Sequence, residues 1–163
     1  AEDSFDLVYC RFALVSSPDP TAALRGMARV AKPGGTIVAY DMVHDGIWFV
    51  PDRPAFAAVL RQVVQVLRER GAEPNQGLFL ASGLRHAGLT DVSARVITHQ
   101  ALAGEELYGV CRDNWIATST NLGERLGPRL DAEELQRALG ELERISGDEF
   151  LVETTVLAWG KKA

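Results

Sequence analysis

The stretch FDLVYCRFALVSSPDPTAALRGMARVAKPGGTIVAY, residues 5–40, decides the fold. Phe5-Asp6-Leu7-Val8-Tyr9-Cys10 is a nearly continuous apolar run, the pattern of a strand buried on both faces in a parallel sheet covered by helices. Asp19 is placed to cap a helix and Pro20 to fill its first turn. Leu24, Met27, Ala28 and Ala31 then recur at helical spacing on one face. Lys32-Pro33-Gly34-Gly35 ends the helix in a turn, with proline at i+1 and glycine at i+2 as type II prefers. Residues 36–40 form a second apolar strand. Strand, helix and strand in that order make a βαβ unit, so the two strands are predicted parallel with a right-handed crossover.

Outward from this unit, residues 41–49 are predicted as an aromatic loop. A helix follows over 54–70, with Phe56, Val59, Leu60, Val63, Val64 and Leu67 on its apolar side and Gly71 at its end. Residues 75–87 predict another helix, stopped by Gly88. The partial alternation of 92–97 predicts an edge strand with one wetter face. Residues 104–127 are loosely helical, with Leu107, Val110, Cys111, Trp115 and Leu122 to one side. Asp131 and Glu134 resemble a capping box, and Leu135, Ala138, Leu139, Leu142 and Ile145 line the helix they open. Residues 150–159 are the last strand. The expected organisation is one partial α/β domain over 1–163. Its parts are a strand–helix–strand core (1–45), a cap helix (46–76), a helix–strand segment (77–99), a helical insertion (100–148) and a final antiparallel strand (149–163).

Composition narrows the function classes. The 163 residues carry a net charge of −5, and Arg61, Arg68 and Arg70 are spread along one helix. A nucleic-acid partner would call for a concentrated basic face, so none is expected. No apolar run reaches ~18 residues, so no membrane span is expected, and the first residues lack a signal-peptide pattern. Cys10 and Cys111 lie far apart in apolar surroundings, which suits reduced thiols in a cytoplasmic protein. With three scattered histidines they form no metal-ligand spacing, so no metal is expected.

Three segments together resemble the class I S-adenosylmethionine-dependent methyltransferases, in particular the small-molecule group typified by quinone-biosynthesis enzymes. Phe5 to Phe12 is similar to that family's fourth strand and following loop. Asp19-Pro20 through Lys32-Pro33-Gly34-Gly35-Thr36 is similar to its next helix, turn and fifth strand. Leu84-Arg85-His86-Ala87-Gly88-Leu89-Thr90-Asp91-Val92 is similar to the joint leading into its sixth strand. The ending Val156-Leu157-Ala158-Trp159-Gly160-Lys161-Lys162 fits its last strand. The resemblance implies a Rossmann-like sheet, mostly parallel with an antiparallel last strand, helices on both faces and extra cap helices. It also implies S-adenosylmethionine as cofactor and methyl transfer to a small organic acceptor.

One feature departs from the family. Its cofactor loop is glycine-rich, so that backbone can approach the ligand at a helix N-terminus, and this sequence has no G-x-G. The resemblance therefore makes the chain a carboxyl-terminal half, expected to bind the cofactor very weakly or not at all alone. Its first strand would be left as an open apolar edge. The partner expectation is self-association or pairing with the missing N-terminal half.

Ligands of open α/β sheets bind beyond the carboxyl ends of the strands. The resemblance sets Cys10, Arg11, Phe12 and Val15 against the cofactor; core packing remains an alternative for Phe12 and Val15, and a surface ion pair for Arg11. His44 is the best-placed base if the acceptor must lose a proton, with Asp41 second, though a lone loop histidine also reads as solvent-facing. Trp48, Phe49, Tyr108 and Trp115 could line an apolar acceptor pocket, while Phe56 reads as core. Two rival readings stay open. One is a non-catalytic interaction module pairing through its open strand. The other is a nicotinamide dehydrogenase, which an antiparallel final strand beside the preceding one would disfavour.

Overall fold

The computed structural model of the chain describes residues 1–126, 131–144 and 147–163, without the side chains of 122–126. The side chain of Leu122 and the whole of Ile145, assigned above to helix faces, fall outside what is described. The elements are β1 (Phe5–Arg11), α1 (Pro20–Val30), β2 (Ala31–Val50), α2 (Pro54–Glu69), α3 (Leu80–His86), β3 (Leu89–Leu102), α4 (Glu106–Leu126), α5 (Ala132–Glu143) and β4 (Phe150–Lys162). Short 3-10 turns occupy Leu14–Ser16 and Gln76–Phe79.

One four-stranded sheet is ordered β1-β2-β4-β3. β1 and β2 are parallel, in register from Leu7↔Thr36 to Arg11↔Tyr40, as the βαβ reading requires. The register slips between Phe5↔Ala31 and Leu7↔Thr36, and the Lys32–Gly35 turn sits in that bulge. Gly34 takes φ +77° there, the left-handed conformation of the third residue of a type II turn. β4 runs antiparallel to β3: the Thr90 hydroxyl donates to the Lys161 carbonyl and the Thr155 hydroxyl to that of Ile97, so rising numbers meet falling ones. That arrangement agrees with the methyltransferase resemblance and counts against the dehydrogenase reading.

Two sequence expectations are corrected. Residues 41–49 are not a loop, because β2 runs on to Val50. His44-Asp45-Gly46 interrupts the apolar pattern, yet burial still alternates beyond it, with Ile47 and Phe49 inside and Trp48 and Val50 outside. A Cβ on Gly46 would lie 2.5 Å from the Thr154 side chain, which marks how closely β4 approaches. Second, β1 is buried on one face only. Val8 and Cys10 pack against the core, whereas Phe5, Leu7 and Tyr9 are 52%, 59% and 54% exposed on the other side. β1 ends the sheet, so half of its apolar pattern is left uncovered among the described residues.

The chain forms two compact units and passes between them within β2, α2, β3 and β4. The first holds residues 1–46, 67–98 and 154–163. Its core joins Leu24 and Ala28 of α1, Ile37 and Ala39 of β2, Leu80 and Leu84 of α3, and Val156 and Ala158 of β4. Leu24, Ile37, Leu80 and Leu84 are fully buried, each contributing roughly 1.5–3 kcal/mol. α1 starts as its sequence predicts: the Asp19 carboxylate accepts from the Ala22 amide at 2.8 Å, a cap of about 1 kcal/mol.

The second unit holds residues 47–66 and 99–153. Phe56, Val59 and Val63 of α2 are buried, as are Tyr108 and Trp115 of α4 and Ala138 and Leu142 of α5. Phe56 meets Phe49 and Trp115 edge-on, with ring centroids 5.0 and 5.5 Å apart, so it is core as predicted. The Asp131 carboxylate caps α5 by accepting from the Glu133 amide at 2.9 Å.

Candidate active site

In the first unit the site residues gather where β1 and β2 run side by side. Phe12 directly follows β1 with φ +51°, a left-handed conformation unusual for a bulky residue. Its amide still donates to the Tyr40 carbonyl at 2.9 Å, and its ring lies 5.2 Å from that of Tyr40. The Arg11 guanidinium is 4.7 Å from the Phe12 ring centroid and 5.7 Å from that of Tyr40. No ion pair is needed to place Arg11 here, because a cation over two aromatic faces is itself favourable. Strain of this kind costs about 1–3 kcal/mol and concentrates at ligand sites.

Asp41 holds the next turn. One carboxylate oxygen accepts from the amides of Leu14 at 3.0 Å and Val15 at 2.9 Å, and the other from Met42 at 3.0 Å. Asp41 is fully buried. Burial raises its pKa, opposed by the hydrogen bonds from Met42, Val15 and Leu14. Val15 is itself buried, so the Asp41 carboxylate and the Val15 side chain both serve to fix the loop. Burial also pushes the Cys10 thiol up to about 11, with the Asp41 charge adding to the rise, so Cys10 stays a neutral thiol.

His44 is buried, and its Nδ1 lies 2.6 Å from the Pro74 carbonyl. A carbonyl only accepts, so Nδ1 carries the proton. Burial lowers the His44 pKa, against the raising effects of the Pro74 bond and the Asp45 charge. The ring is therefore held neutral and in one tautomer. Beside it, Asn75 exchanges hydrogen bonds with Asp45: its carbonyl accepts from the Asp45 amide and its side-chain nitrogen donates to the Asp45 carboxylate.

In the second unit a cleft of about 420 Å³ opens between the end of β2 and α2. Trp48, Phe49, Arg53, Phe56 and Arg61 are among its walls. Trp48 is 56% exposed. Tyr108 and Trp115 are buried nearby in the same unit, where their polar atoms meet carboxylates: the Tyr108 hydroxyl donates to Glu149 and the Trp115 indole to Glu153. Of the four predicted acceptor residues, then, two line the cleft and two pack within the unit.

Sequence reasoning missed Glu149 and Arg53. Glu149 is 2% exposed, pairs with Arg53 and accepts from Tyr108. Arg53 and Glu149 are 96 residues apart, and neither sits in a local pattern that announces a partner. Among the described residues there is no group of three or more metal-ligating side chains.

The fold now compares directly with solved structures. A candidate methyltransferase of Bacillus halodurans C-125 superposes with a TM-score of 0.54 at 16% identity, covering 99% of this chain and 71% of that one. The phosphoethanolamine N-methyltransferase 2 of Haemonchus contortus, solved with S-adenosyl-L-methionine, gives a TM-score of 0.51 at 12% identity, covering 100% of this chain and 34% of that one. The chain has the fold of a class I S-adenosylmethionine-dependent methyltransferase. Sequence agrees: the family described as "Methyltransferase domain" matches residues 1–39. The demethylmenaquinone methyltransferase of Mycolicibacterium paratuberculosis is 34% identical over 90 residues, covering 52% of this chain. The match takes in 36% of that relative's length. The Arg11–Val15 turn and the Asp41 carboxylate that braces it lie just beyond the paired stretch of the parallel strands β1 and β2.

Proposed function

We propose that the protein transfers a methyl group from S-adenosylmethionine to a small organic acceptor. The observation that carries this reading is the strained, aromatic, cation-bearing corner at Arg11 and Phe12, braced by Asp41 at the end of the parallel strand pair. The corner suits the cofactor's chemistry. Phe12, partly exposed, offers an aromatic face for a base, and Arg11 offers a guanidinium for a carboxylate. Cys10 and Val15 border it, while the amides of Leu14 and Val15 are occupied by Asp41 and shape the turn. The bound cofactor supplies an electrophilic methyl on a sulfonium, so the protein's task is mainly in-line positioning, worth ~7–11 kcal/mol of the barrier.

In this reading His44, held neutral, takes the acceptor's proton where one must leave, and Asp41 acts as a positioning residue. Trp48 and Phe49 on the cleft of the second unit, with Tyr108 and Trp115 of the same unit, are the acceptor-binding residues of this reading. The curated relatives are named for demethylmenaquinone, which supports an organic acceptor. A cytoplasmic location fits the reading, and no described helix is long and apolar enough to cross a membrane. The test is transfer of labelled methyl from S-adenosylmethionine by the whole gene product. Transfer that falls at least tenfold in Phe12→Ala supports the assignment; transfer unchanged by Phe12→Ala and Arg11→Ala together contradicts it.

A second reading rests on the open β1 face: the chain pairs through Phe5, Leu7 and Tyr9, with another copy or with an N-terminal methyltransferase half. An apolar edge strand is a template for such pairing. Sedimentation of the 163-residue chain is expected to give concentration-dependent association that Leu7→Lys weakens. A monomer at high concentration would remove the pairing proposal.

A further inference from the structure

Tyr40 supports the corner after β1 at three points. Its carbonyl accepts from the Phe12 amide, its ring lies beside the Phe12 ring, and the Arg11 guanidinium stands over that ring. What fixes the tyrosine ring itself comes from the far strands. Ile37 and Ala39 face the core shared with α1 and α3, so alternation along β2 puts the Tyr40 side chain on the opposite face of the sheet. There the hydroxyls of Tyr40 and of Thr155 in β4 are hydrogen-bonded, 2.8 Å apart and buried. Thr155 in turn reaches the Ile97 carbonyl of β3 at 3.2 Å. One line of contacts therefore crosses all four strands, from Arg11 and Phe12 where β1 ends, through Tyr40 and Thr155, to Ile97. Packing alone does not call for hydroxyls here, since phenylalanine and valine would fill the same space and bury no polar atom. A hydrogen bond is directional where packing is not, so the paired hydroxyls set the tilt of the Tyr40 ring.

We propose that Tyr40, anchored through its hydroxyl by Thr155, is a positioning residue for cofactor binding at the Arg11–Phe12 corner. Arg11 and Phe12 are exposed, and Phe12 holds its left-handed backbone at φ +51°. Both side chains need a fixed surface behind them if the corner is to meet a ligand without first ordering itself, an ordering that weakens binding. The Tyr40 ring is that surface, and Thr155 keeps it in place. The inference rests on reading the corner as the cofactor site, and Tyr40 acts there only through Arg11 and Phe12.

The experiment is calorimetric titration of the whole gene product and its variants with S-adenosylhomocysteine. Tyr40→Phe keeps the ring and removes the anchor, and is expected to weaken binding about fivefold. Thr155→Val is expected to do the same, and the two together to do little more than either alone, because one hydrogen bond is lost in each case. Thr155→Ser puts a hydroxyl back and should recover most of the loss. In an Arg11→Ala background, Tyr40→Phe should add less than about twofold, since the group it positions is gone. A purely structural tyrosine would lower the urea midpoint in Tyr40→Phe and leave the affinity of the folded protein unchanged; that result overturns the proposal, as does full additivity of Tyr40→Phe with Arg11→Ala. If Arg11→Ala weakens binding and Tyr40→Phe does not, the positioning role falls and the cofactor site stands. If neither Arg11→Ala nor Phe12→Ala changes the affinity, the corner is not the cofactor site and both readings fall. Should Thr155→Val not fold, Tyr40→Phe alone and in the Arg11→Ala background decides.

Discussion

Burial holds the Asp41 carboxyl above the ordinary carboxylate range even though Met42, Val15 and Leu14 donate to it. A carboxyl with a raised folded-state pKa favours folding below the unfolded pKa of ~3.9, and that contribution is lost as pH rises through the raised value. Asp41→Asn cannot ionise, so denaturation followed across the acid range should show the parent losing stability relative to the variant as pH rises. A constant difference between the two would refute the account of Asp41. His44 runs the other way, because its pKa is lowered: its contribution is present above ~6.5 and lost as pH falls through the lower folded value. Comparing parent with Asp41→Asn cancels that effect. At this scale the sequence is informative only where chemistry follows a strand end. Asp41 and His44 stood out for that reason. Glu149 did not, because its partners are Tyr108 of α4 and Arg53 just before α2, and nothing local foretells a buried charge.

Strand and helix existence was legible because the apolar spacing is strong in residues 5–40 and 54–70, and because Asp19, Asp131 and Gly88 punctuate the chain where caps are needed. The extent of β2 was not legible, since pairing with β4 decides it and that strand arrives more than a hundred residues later. Close packing at one glycine gives this scale its test. A Cβ on Gly77 would lie 2.9 Å from the Asp41 carbonyl and 3.0 Å from that of Met42. Both contacts are backbone and cannot swing aside, so Gly77→Ala should cost about 1–3 kcal/mol in urea denaturation. Gly26 in α1 has nothing within 4 Å of such a Cβ, and Gly26→Ala should instead gain roughly 0.5–1 kcal/mol from helix propensity. Equal effects at the two sites would contradict the packing described around Asp41.

For the whole molecule, the order strand–helix–strand forced the parallel β1–β2 pair, and the closing strand took the antiparallel place that the methyltransferase resemblance required. What the sequence could not say is which face of β1 stays covered. An apolar residue reads the same whether a helix lies over it or not, so Leu7 and Val8 looked alike although only Val8 is packed in the core. The account of function turns on the corner after β1. Hydrogen–deuterium exchange of the whole gene product, with and without S-adenosylhomocysteine, tests it most directly. Amides of residues 10–15 should slow about tenfold or more on adding the ligand, while those of α5 stay unchanged. Ligand binding that protects other segments and leaves residues 10–15 exchanging as before would contradict the site.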